Sequence, residues 1–318
     1  MSLRRSARNI SNSNGSAKKE AAVKKIKTET ATKKRKAPEV KVEDSQQALS
    51  IGPTPTPKNN ADKPQNWDIV YEMLEAFREK EKAPVDTMGC ERLADTTASP
   101  VVQRFQTLIA LMLSSQTKDT VTSVAVAKLQ KELPGGLCLQ SILNVDEAAL
   151  DKMIAAVGFH TKKASYIKRT AEILRDQYAG DIPDTIEGLV DLPGVGPKMG
   201  YLTLQVAWDK NIGIGVDVHV HRICNRLGWV KTKTPEETRT NLQSWLPKDR
   251  WKKLNPIMVG YGQIVCLPRG PRCDICPISQ YCPSSEIKKI VKKKQKIEKT
   301  ESVYFKTEPT EEQRPLDW

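Results

Sequence analysis

The 318-residue sequence predicts an all-α protein. Apolar residues recur at helical spacing along much of the chain, and the first such pattern begins at Trp67. No convincing run of alternating apolar and polar residues indicates a strand, and no internal repeat is present. We therefore expect helices that bury one apolar face each. The first pattern consists of Ile69, Val70, Met73, Leu74 and Phe77.

The segment from Phe105 to Leu113 is apolar on nearly every side, which predicts a deeply buried helix. Other segments show one apolar and one polar face, as surface helices do. These further helices are predicted at 121–129, 146–157, 163–178, 236–246 and 254–266.

Both ends of the chain differ in composition from its centre. Residues 1–64 contain 15 Lys/Arg and 6 Asp/Glu, so most of the net charge of +13 lies there. Residues 1–66 have no aromatic residue and end in a Pro/Thr linker, which predicts a disordered basic arm. Residues 285–318 are rich in Lys and Glu, which predicts a mobile charged tail.

A basic arm suits a polyanionic partner or a nuclear import receptor, and a merely solvated tail is the alternative. Two clusters, Lys24-Lys25 and the run 33–36, have the pattern of a bipartite nuclear localisation signal. The first 19 residues contain Arg and Ser but no acid, as mitochondrial transit peptides do. We expect a nuclear location, and an additional mitochondrial one stays open. No apolar stretch approaches the roughly 18 residues of a membrane span, so no membrane partner is expected.

Four of the seven cysteines lie within 17 residues, in the spacing C-x6-C-x2-C-x5-C. With no secretory signal, this grouping favours a metal site in a reducing compartment over a disulfide framework. Four thiolates in one loop can surround a single metal centre. Zinc and a [4Fe–4S] cluster both accept four thiolates, so the spacing leaves the two open. The proposed ligands are Cys266, Cys273, Cys276 and Cys282.

The run Leu192-Pro-Gly-Val-Gly-Pro-Lys198 predicts a helix–hairpin–helix. One helix ends at Val190, and a second begins near Pro197, where proline fits a first turn. We expect positive φ at Gly194 and Gly196 and close approach of a ligand to their backbone. The free N–H groups of the second helix would then bind phosphate without reading sequence. The alternative is an ordinary turn that binds nothing.

Two further residues could carry chemistry. Lys198 falls in the first turn of the second hairpin helix, where the helix dipole disfavours its charge and favours a nucleophilic amine. A solvated lysine on phosphate is the alternative. Asp217 precedes a helical pattern, so it predicts an N-cap, and its carboxylate could also face a cationic transition state.

These motifs occur in the order and spacing of the endonuclease III family, which the chain resembles over roughly residues 67–284. The matching runs are 192–198, 216–219 and the cysteine loop, supported by 113–119 and 158–159. With its basic arm, the chain is similar to the eukaryotic members. Val218 and Gly200 replace a usual threonine and alanine, and the interval from Lys198 to Asp217 looks one residue longer than in bacterial members.

The resemblance implies two helical domains that hold DNA in the cleft between them, in a protein expected to be a monomer. A six-helix module with the hairpin would span 97–211. An iron–sulfur domain would combine the first helix, 67–96, with 212–284. The resemblance also favours a [4Fe–4S] cluster over zinc.

By the same resemblance, Gln116 would fill the gap left by a flipped base, and Phe159 would occupy the place of the family's wedge. Arg269 and Arg272, within the cysteine loop, would meet phosphates. Together with Gly194 and Gly196, these residues form the expected DNA-binding set.

The implied activity is that of a bifunctional DNA N-glycosylase and AP lyase of base excision repair. Its partner would be double-stranded DNA with an oxidised pyrimidine or an abasic site. Lys198 would form a Schiff base, Asp217 would assist, and β-elimination would cut 3′ to the lesion. A monofunctional adenine-type glycosylase is one alternative, although that branch lacks the lysine. A non-catalytic helix–hairpin–helix protein that only binds DNA is the other.

Overall fold

The structure, a computed structural model, describes residues 63–287. Within these residues it contains α-helices and one 3₁₀ turn but no strand, which confirms the all-α prediction. The predicted arm and tail lie outside the described residues apart from 63–66 and 285–287. The helices are α1 (Trp67–Lys80), α2 (Val85–Met88), α3 (Pro100–Ser114), α4 (Asp119–Glu132), α5 (Leu139–Asn144), α6 (Glu147–Met153), α7 (His160–Gln177), α8 (Ile186–Val190), α9 (Pro197–Ala207), α10 (Val218–Arg226), α11 (Pro235–Gln243) and α12 (Lys248–Ile264), with the 3₁₀ turn at Cys90–Arg92.

The helix starts follow from local sequence. Helices α3, α9 and α11 begin with Pro100, Pro197 and Pro235, where the missing N–H costs nothing and φ is already helical. At α11 a capping box is complete: the Thr234 hydroxyl accepts from the N–H of Glu237, and the Glu237 carboxylate accepts from the N–H of Thr234.

The first core surrounds α3. Every residue from Phe105 to Leu113 is at most 4% exposed, which confirms the predicted deep burial of this helix. Helices α4, α7 and α9 pack against it, and their apolar side chains complete one cluster that runs from Phe105 to Leu204. The hairpin of α8 and α9 therefore rests on the most buried helix of the chain.

A second core joins α1 to the C-terminal helices α10, α11 and α12. Tryptophans contribute much of its apolar area. The rings of Trp67 and Trp229 both meet Trp245 edge-on, at centroid distances of 5.6 and 5.9 Å. The first helix therefore packs against the C-terminal part of the chain, next to the cysteine loop. The predicted limits 67–96, 97–211 and 212–284 stay predictions.

Two short helices, α2 and α5, were not predicted. Helices α2 and α5 have four and six residues, too few for a helical period to show in the sequence. Helix α12 begins at Lys248, six residues before the predicted start at Leu254, and it continues through Pro256. Among the helices of the described region, none has the length and apolar character to cross a membrane.

Arg239 links α11 to the first core. It is 2% exposed, its guanidinium lies 5.0 Å from the ring centroid of Tyr201 on α9, and it donates to Glu236 and Gln243. We expect Arg239→Met to lower the free energy of unfolding by about 2 kcal/mol, because it removes charged hydrogen bonds from a buried site. Urea unfolding of the purified protein measures this.

The matched control is Arg175→Met, since Arg175 pairs with Asp176 on the surface, where both side chains are 55% exposed. Solvent weakens such a pair, so this variant is expected to unfold like the wild type. Equal losses in both variants would contradict the role assigned to Arg239.

Candidate functional site

The hairpin between α8 and α9 forms as predicted, with α8 ending at Val190 and α9 beginning at Pro197. Gly194 has a φ of +75°, and a Cβ there would lie 2.5 Å from the Tyr166 ring, so both conformation and packing require glycine. The prediction of positive φ is wrong for Gly196. As the N-cap of α9 it is extended, with a φ of −100°. A Cβ at Gly196 would meet nothing within 4 Å, so its backbone lies open to the outside.

Lys198 lies in the first turn of α9, partly buried. Segment 212–216, which has no regular secondary structure, passes directly along this helix. A Cβ on Gly213 would lie 2.2 Å from the Tyr201 ring, and one on Gly215 would lie 2.5 Å from Leu202 and 3.3 Å from the Lys198 carbonyl oxygen. Glycines therefore allow the backbone that leads to Asp217 to rest against the helix of Lys198.

Side chains from three helices satisfy the backbone of this segment. Gln205 of α9 donates to the Gly213 carbonyl at 2.7 Å, and Asn255 of α12 donates to the Gly215 carbonyl at 2.7 Å. Gln243 of α11 accepts from the N–H of Ile214 at 3.0 Å. Buried backbone groups need such partners, so the path of the segment is well determined.

Asp217 caps α10 as predicted. Its Oδ1 accepts from the N–H groups of His219 and Val220, both at 2.9 Å, and the residue is 9% exposed. The cap uses one carboxylate oxygen and leaves Oδ2 outside it.

The pKa of His219 is affected by several charged groups around the start of α10. Burial lowers the pKa of His219, as do the positive charges of Arg222 and Lys198, while Asp217 and Asp119 act in the opposite direction. Lys198 also acts on Cys90, where burial raises the pKa of the thiol to about 11. The charges of Lys198 and Asp217 are therefore both close enough to His219 to act on its imidazole.

Gln116 and Phe159 lie on the loops after α3 and before α7. Both have left-handed backbone, with φ of +51° and +57°, and both side chains are exposed. Phe159 is 56% exposed, which is unusual for so large an apolar side chain. The two loops touch, because the N–H of Gly158 donates to the Thr117 hydroxyl at 3.2 Å.

The four cysteines Cys266, Cys273, Cys276 and Cys282 form no disulfide and line one pocket, together with apolar side chains of α10 and α12. Burial raises the pKa of Cys276 and Cys282, so their thiolates need compensation. Hydrogen bonds reach two sulfurs: Arg226 Nη1 donates to Cys266 Sγ at 3.2 Å, and the Tyr261 hydroxyl lies 2.8 Å from Cys276 Sγ. Within residues 63–287, no group of three or more potential ligands converges as a single bound ion would require.

Arg269 and Arg272 flank Gly270 in the cysteine loop and are both exposed. Gly270 has a φ of +63°, and a Cβ there would meet nothing within 4 Å. The loop is anchored where the N–H of Arg272 donates to the Val265 carbonyl at 2.9 Å. Arg269 and Arg272 are thus exposed on a loop whose backbone is fixed by a hydrogen bond.

The sequence did not predict the role of Arg222 and Arg226, which connect α10 to the cysteine loop. Arg222 donates to the Cys266 carbonyl at 3.0 Å, and Arg226 donates to the Leu267 carbonyl at 2.7 Å. Their i, i+4 spacing places them on one face of α10, and this signal was present in the sequence. The contact of that face with the cysteine loop joins residues more than 40 positions apart, so local sequence does not predict it.

Comparison with known proteins identifies the class. A family model described as HhH-GPD superfamily base excision DNA repair protein matches residues 109–248. The endonuclease III homolog of Schizosaccharomyces pombe is 52% identical over 257 residues, 80% of this chain and 72% of that protein. Endonuclease III-like protein 1 of Gallus gallus is 48% identical over 241 residues, 75% of this chain and 85% of that protein.

The chain belongs to the endonuclease III family, and the prediction of a base excision repair DNA glycosylase is confirmed. Among solved structures, a trapped endonuclease III–DNA covalent intermediate is 26% identical with a TM-score of 0.59, and the match covers 69% of this chain and 96% of that one. A non-covalent endonuclease III–DNA complex has the same TM-score at 25% identity and the same coverage.

Because Asp217 caps α10, its substitution should change the stability of the protein independently of any catalytic role. Asp217→Ala removes the acceptor of two N–H groups and is expected to lower the free energy of unfolding by about 1 kcal/mol. Asp217→Asn keeps a side-chain oxygen in the same place and should lose clearly less. Urea unfolding of both variants checks the order, and an equally large loss in Asp217→Asn would show that the negative charge, not the cap, sets the stability.

Proposed function

We propose that the chain is a bifunctional DNA glycosylase and AP lyase that removes oxidised pyrimidines from duplex DNA, with Lys198 as nucleophile and Asp217 as its partner. The observation that supports this most is their arrangement. Segment 212–216 rests on α9, whose first turn contains Lys198, and leads directly into Asp217, the N-cap of α10. A related endonuclease III has been trapped as a covalent intermediate with DNA.

In the proposed reaction the Lys198 amine attacks C1′ of the deoxyribose, and the bond from C1′ to the base breaks. The base leaves with the electron pair of that bond and takes up a proton. Asp217 stabilises the positive charge that develops on the sugar or accepts the proton that the amine loses. The ring bond from C1′ to O4′ then breaks and O4′ takes up a proton, so that C1′ and the Lys198 nitrogen form a Schiff base. The Schiff base permits loss of a C2′ proton, and the bond from C3′ to the 3′ phosphate oxygen breaks, which cuts the strand.

DNA contact is proposed at three places. The open backbone at Gly196, next to the turn at Gly194, would bind phosphate at the positive end of the α9 dipole. Gln116 and Phe159 project from adjoining loops and would enter the duplex, where a lesion has already weakened stacking. Arg269 and Arg272 would meet phosphates from the cysteine loop.

We propose that the four cysteines hold a [4Fe–4S] cluster. The residues fit such a group, because soft thiol donors share one largely apolar pocket and N–H and O–H donors reach two of the sulfurs. When bound, the cluster would serve as a structural crosslink. Arg226 would then support the loop that carries Arg269 and Arg272.

The remaining proposals rest on sequence and family. The cluster domain, 67–96 with 212–284, and the six-helix module, 97–211, would each contain one of the two cores. We propose a monomer that binds double-stranded DNA. The basic clusters of the arm support a nuclear import receptor as partner, a nuclear location and, with the acid-free first residues, a mitochondrial fraction.

Lys198→Gln tests the assignment of the nucleophile. Borohydride should trap wild-type protein on duplex DNA with an oxidised pyrimidine, and Lys198→Gln should show neither trapping nor strand cleavage, because glutamine cannot form a Schiff base. Lys231→Gln, an exposed lysine on the loop after α10, is the control and should trap normally. Normal trapping by Lys198→Gln would refute the assignment, and base release without cleavage by the wild type would indicate a monofunctional glycosylase.

Cys276→Ser tests the metal centre. Wild-type protein should contain iron and inorganic sulfide with visible absorption, and the variant should lose them because one thiolate ligand is gone. Cys138→Ser is the control, since Cys138 lies in a loop of the first core and contacts Ser141. Zinc without sulfide in the wild type would overturn the cluster in favour of a zinc site.

A further inference from the structure

The two exposed residues Gln116 and Phe159 stand on separate loops that fit against each other. In addition to its hydrogen bond to Thr117, Gly158 lies so close that a Cβ there would be 2.9 Å from the Gln116 carbonyl oxygen. Both loops carry a non-glycine residue in the left-handed region, a conformation that costs free energy unless its surroundings enforce it. Something must hold this pair of loops in place.

The side chain of Lys163 does so. It is 6% exposed, and its Nζ donates to the carbonyls of Leu113 and Ser115 at 2.7 and 2.6 Å and contacts the Thr117 hydroxyl at 3.3 Å. These acceptors lie on both sides of Gln116. The backbone N–H of the same lysine donates to the Phe159 carbonyl at 3.0 Å. The side chain of Lys163 therefore ties the Gln116 loop to the first turn of α7, which follows directly on Phe159.

A buried lysine at this position destabilises the fold, because its ammonium group is removed from water. Burial lowers the pKa of Lys163 to about 8, which reflects the penalty of keeping its ammonium away from water. The acceptors of its ammonium group are neutral carbonyls and a hydroxyl, although the C-terminal end of α3 favours a positive charge. The neighbouring inward positions of α7, Ala164 and Ile167, are apolar and fully buried. An apolar residue at position 163 would therefore suffice for packing.

We propose that Lys163 is a positioning residue for lesion recognition: it holds the loops of Gln116 and Phe159 in one arrangement, so that both side chains enter duplex DNA together. The inference rests on the proposed function and adds to it a residue that touches neither the reacting sugar nor the metal centre. The role concerns opening of the duplex and leaves the chemistry of Lys198 unchanged.

The chain offers a matched control on the same helix. Lys168 donates to the carbonyls of Ile142, Leu143 and Val145 at 2.9, 2.9 and 2.8 Å, so it also closes the end of a helix, α5. It contacts neither DNA-facing loop. Lys168→Met therefore removes the same kind of hydrogen bond, from a lysine of α7 to carbonyls at a helix end, without the positioning role.

The experiment compares wild type, Lys163→Met and Lys168→Met as full-length proteins. Single-turnover rates are measured on a duplex with an oxidised pyrimidine, and borohydride trapping is measured on a single-stranded oligonucleotide with an abasic site. Lys163→Met should lose on the order of 10- to 100-fold in rate on the duplex, because misplaced contact groups cost that much. Its trapping on the single strand, where no stack must open, should stay within about twofold of wild type. Lys168→Met should show no loss specific to the duplex.

A spectroscopic measurement separates this inference from the proposed chemistry. A 2-aminopurine placed beside the lesion should brighten when wild type or Lys168→Met opens the stack, and should brighten much less with Lys163→Met. If wild type opens the stack but forms no Schiff base, the proposed chemistry fails and the role of Lys163 stands. Equal opening by Lys163→Met, or an equal loss on both DNA forms, overturns that role.

Thr117→Val covers the case in which Lys163→Met does not fold. It removes the hydroxyl that receives both Gly158 and Lys163 while keeping the side-chain shape. The same loss of opening and of duplex rate is expected in smaller degree, and unchanged opening would count against the proposal.

Discussion

The site depends on the close packing of segment 212–216 against α9. Only hydrogen atoms at Gly213 and Gly215 let this backbone lie so near Tyr201, Leu202 and the Lys198 carbonyl. A side chain at either position would push the segment away from the helix, and Asp217 would move with it. The distance between Lys198 and Asp217 therefore depends on the lack of side chains at Gly213 and Gly215.

The same segment is where the two cores of the described chain meet. Its peptide groups are bound by Gln205 from α9, Gln243 from α11 and Asn255 from α12, so helices of both cores contribute. Arg239 extends this connection, because it donates to Gln243 and lies over Tyr201. A backbone segment with such partners has few alternative paths, since any shift would leave buried polar groups unpaired. Pre-organisation of the site follows from this network.

How far sequence could predict this structure depends on the range of the interaction involved. The buried helix from Phe105 to Leu113, the hairpin before Lys198 and the cap at Asp217 are local patterns, and the structure shows all three. The conformation of Gly196 was predicted wrongly because glycine permits both regions of φ. Lys163 gave no signal, because a lysine on a helix is normally solvated and its acceptors lie some 50 residues away.

The double role of Asp217 follows from how its two oxygens are used. Capping engages Oδ1 with two N–H groups, which fixes the orientation of the carboxylate and leaves Oδ2 outside the cap. Burial lowers the pKa of His219, which disfavours a positively charged imidazole beside the carboxylate. We infer that a helix cap suits a charge-stabilising group, because two hydrogen bonds hold the carboxylate in a fixed orientation. The residue that starts α10 can then face a cationic sugar without losing its structural partners.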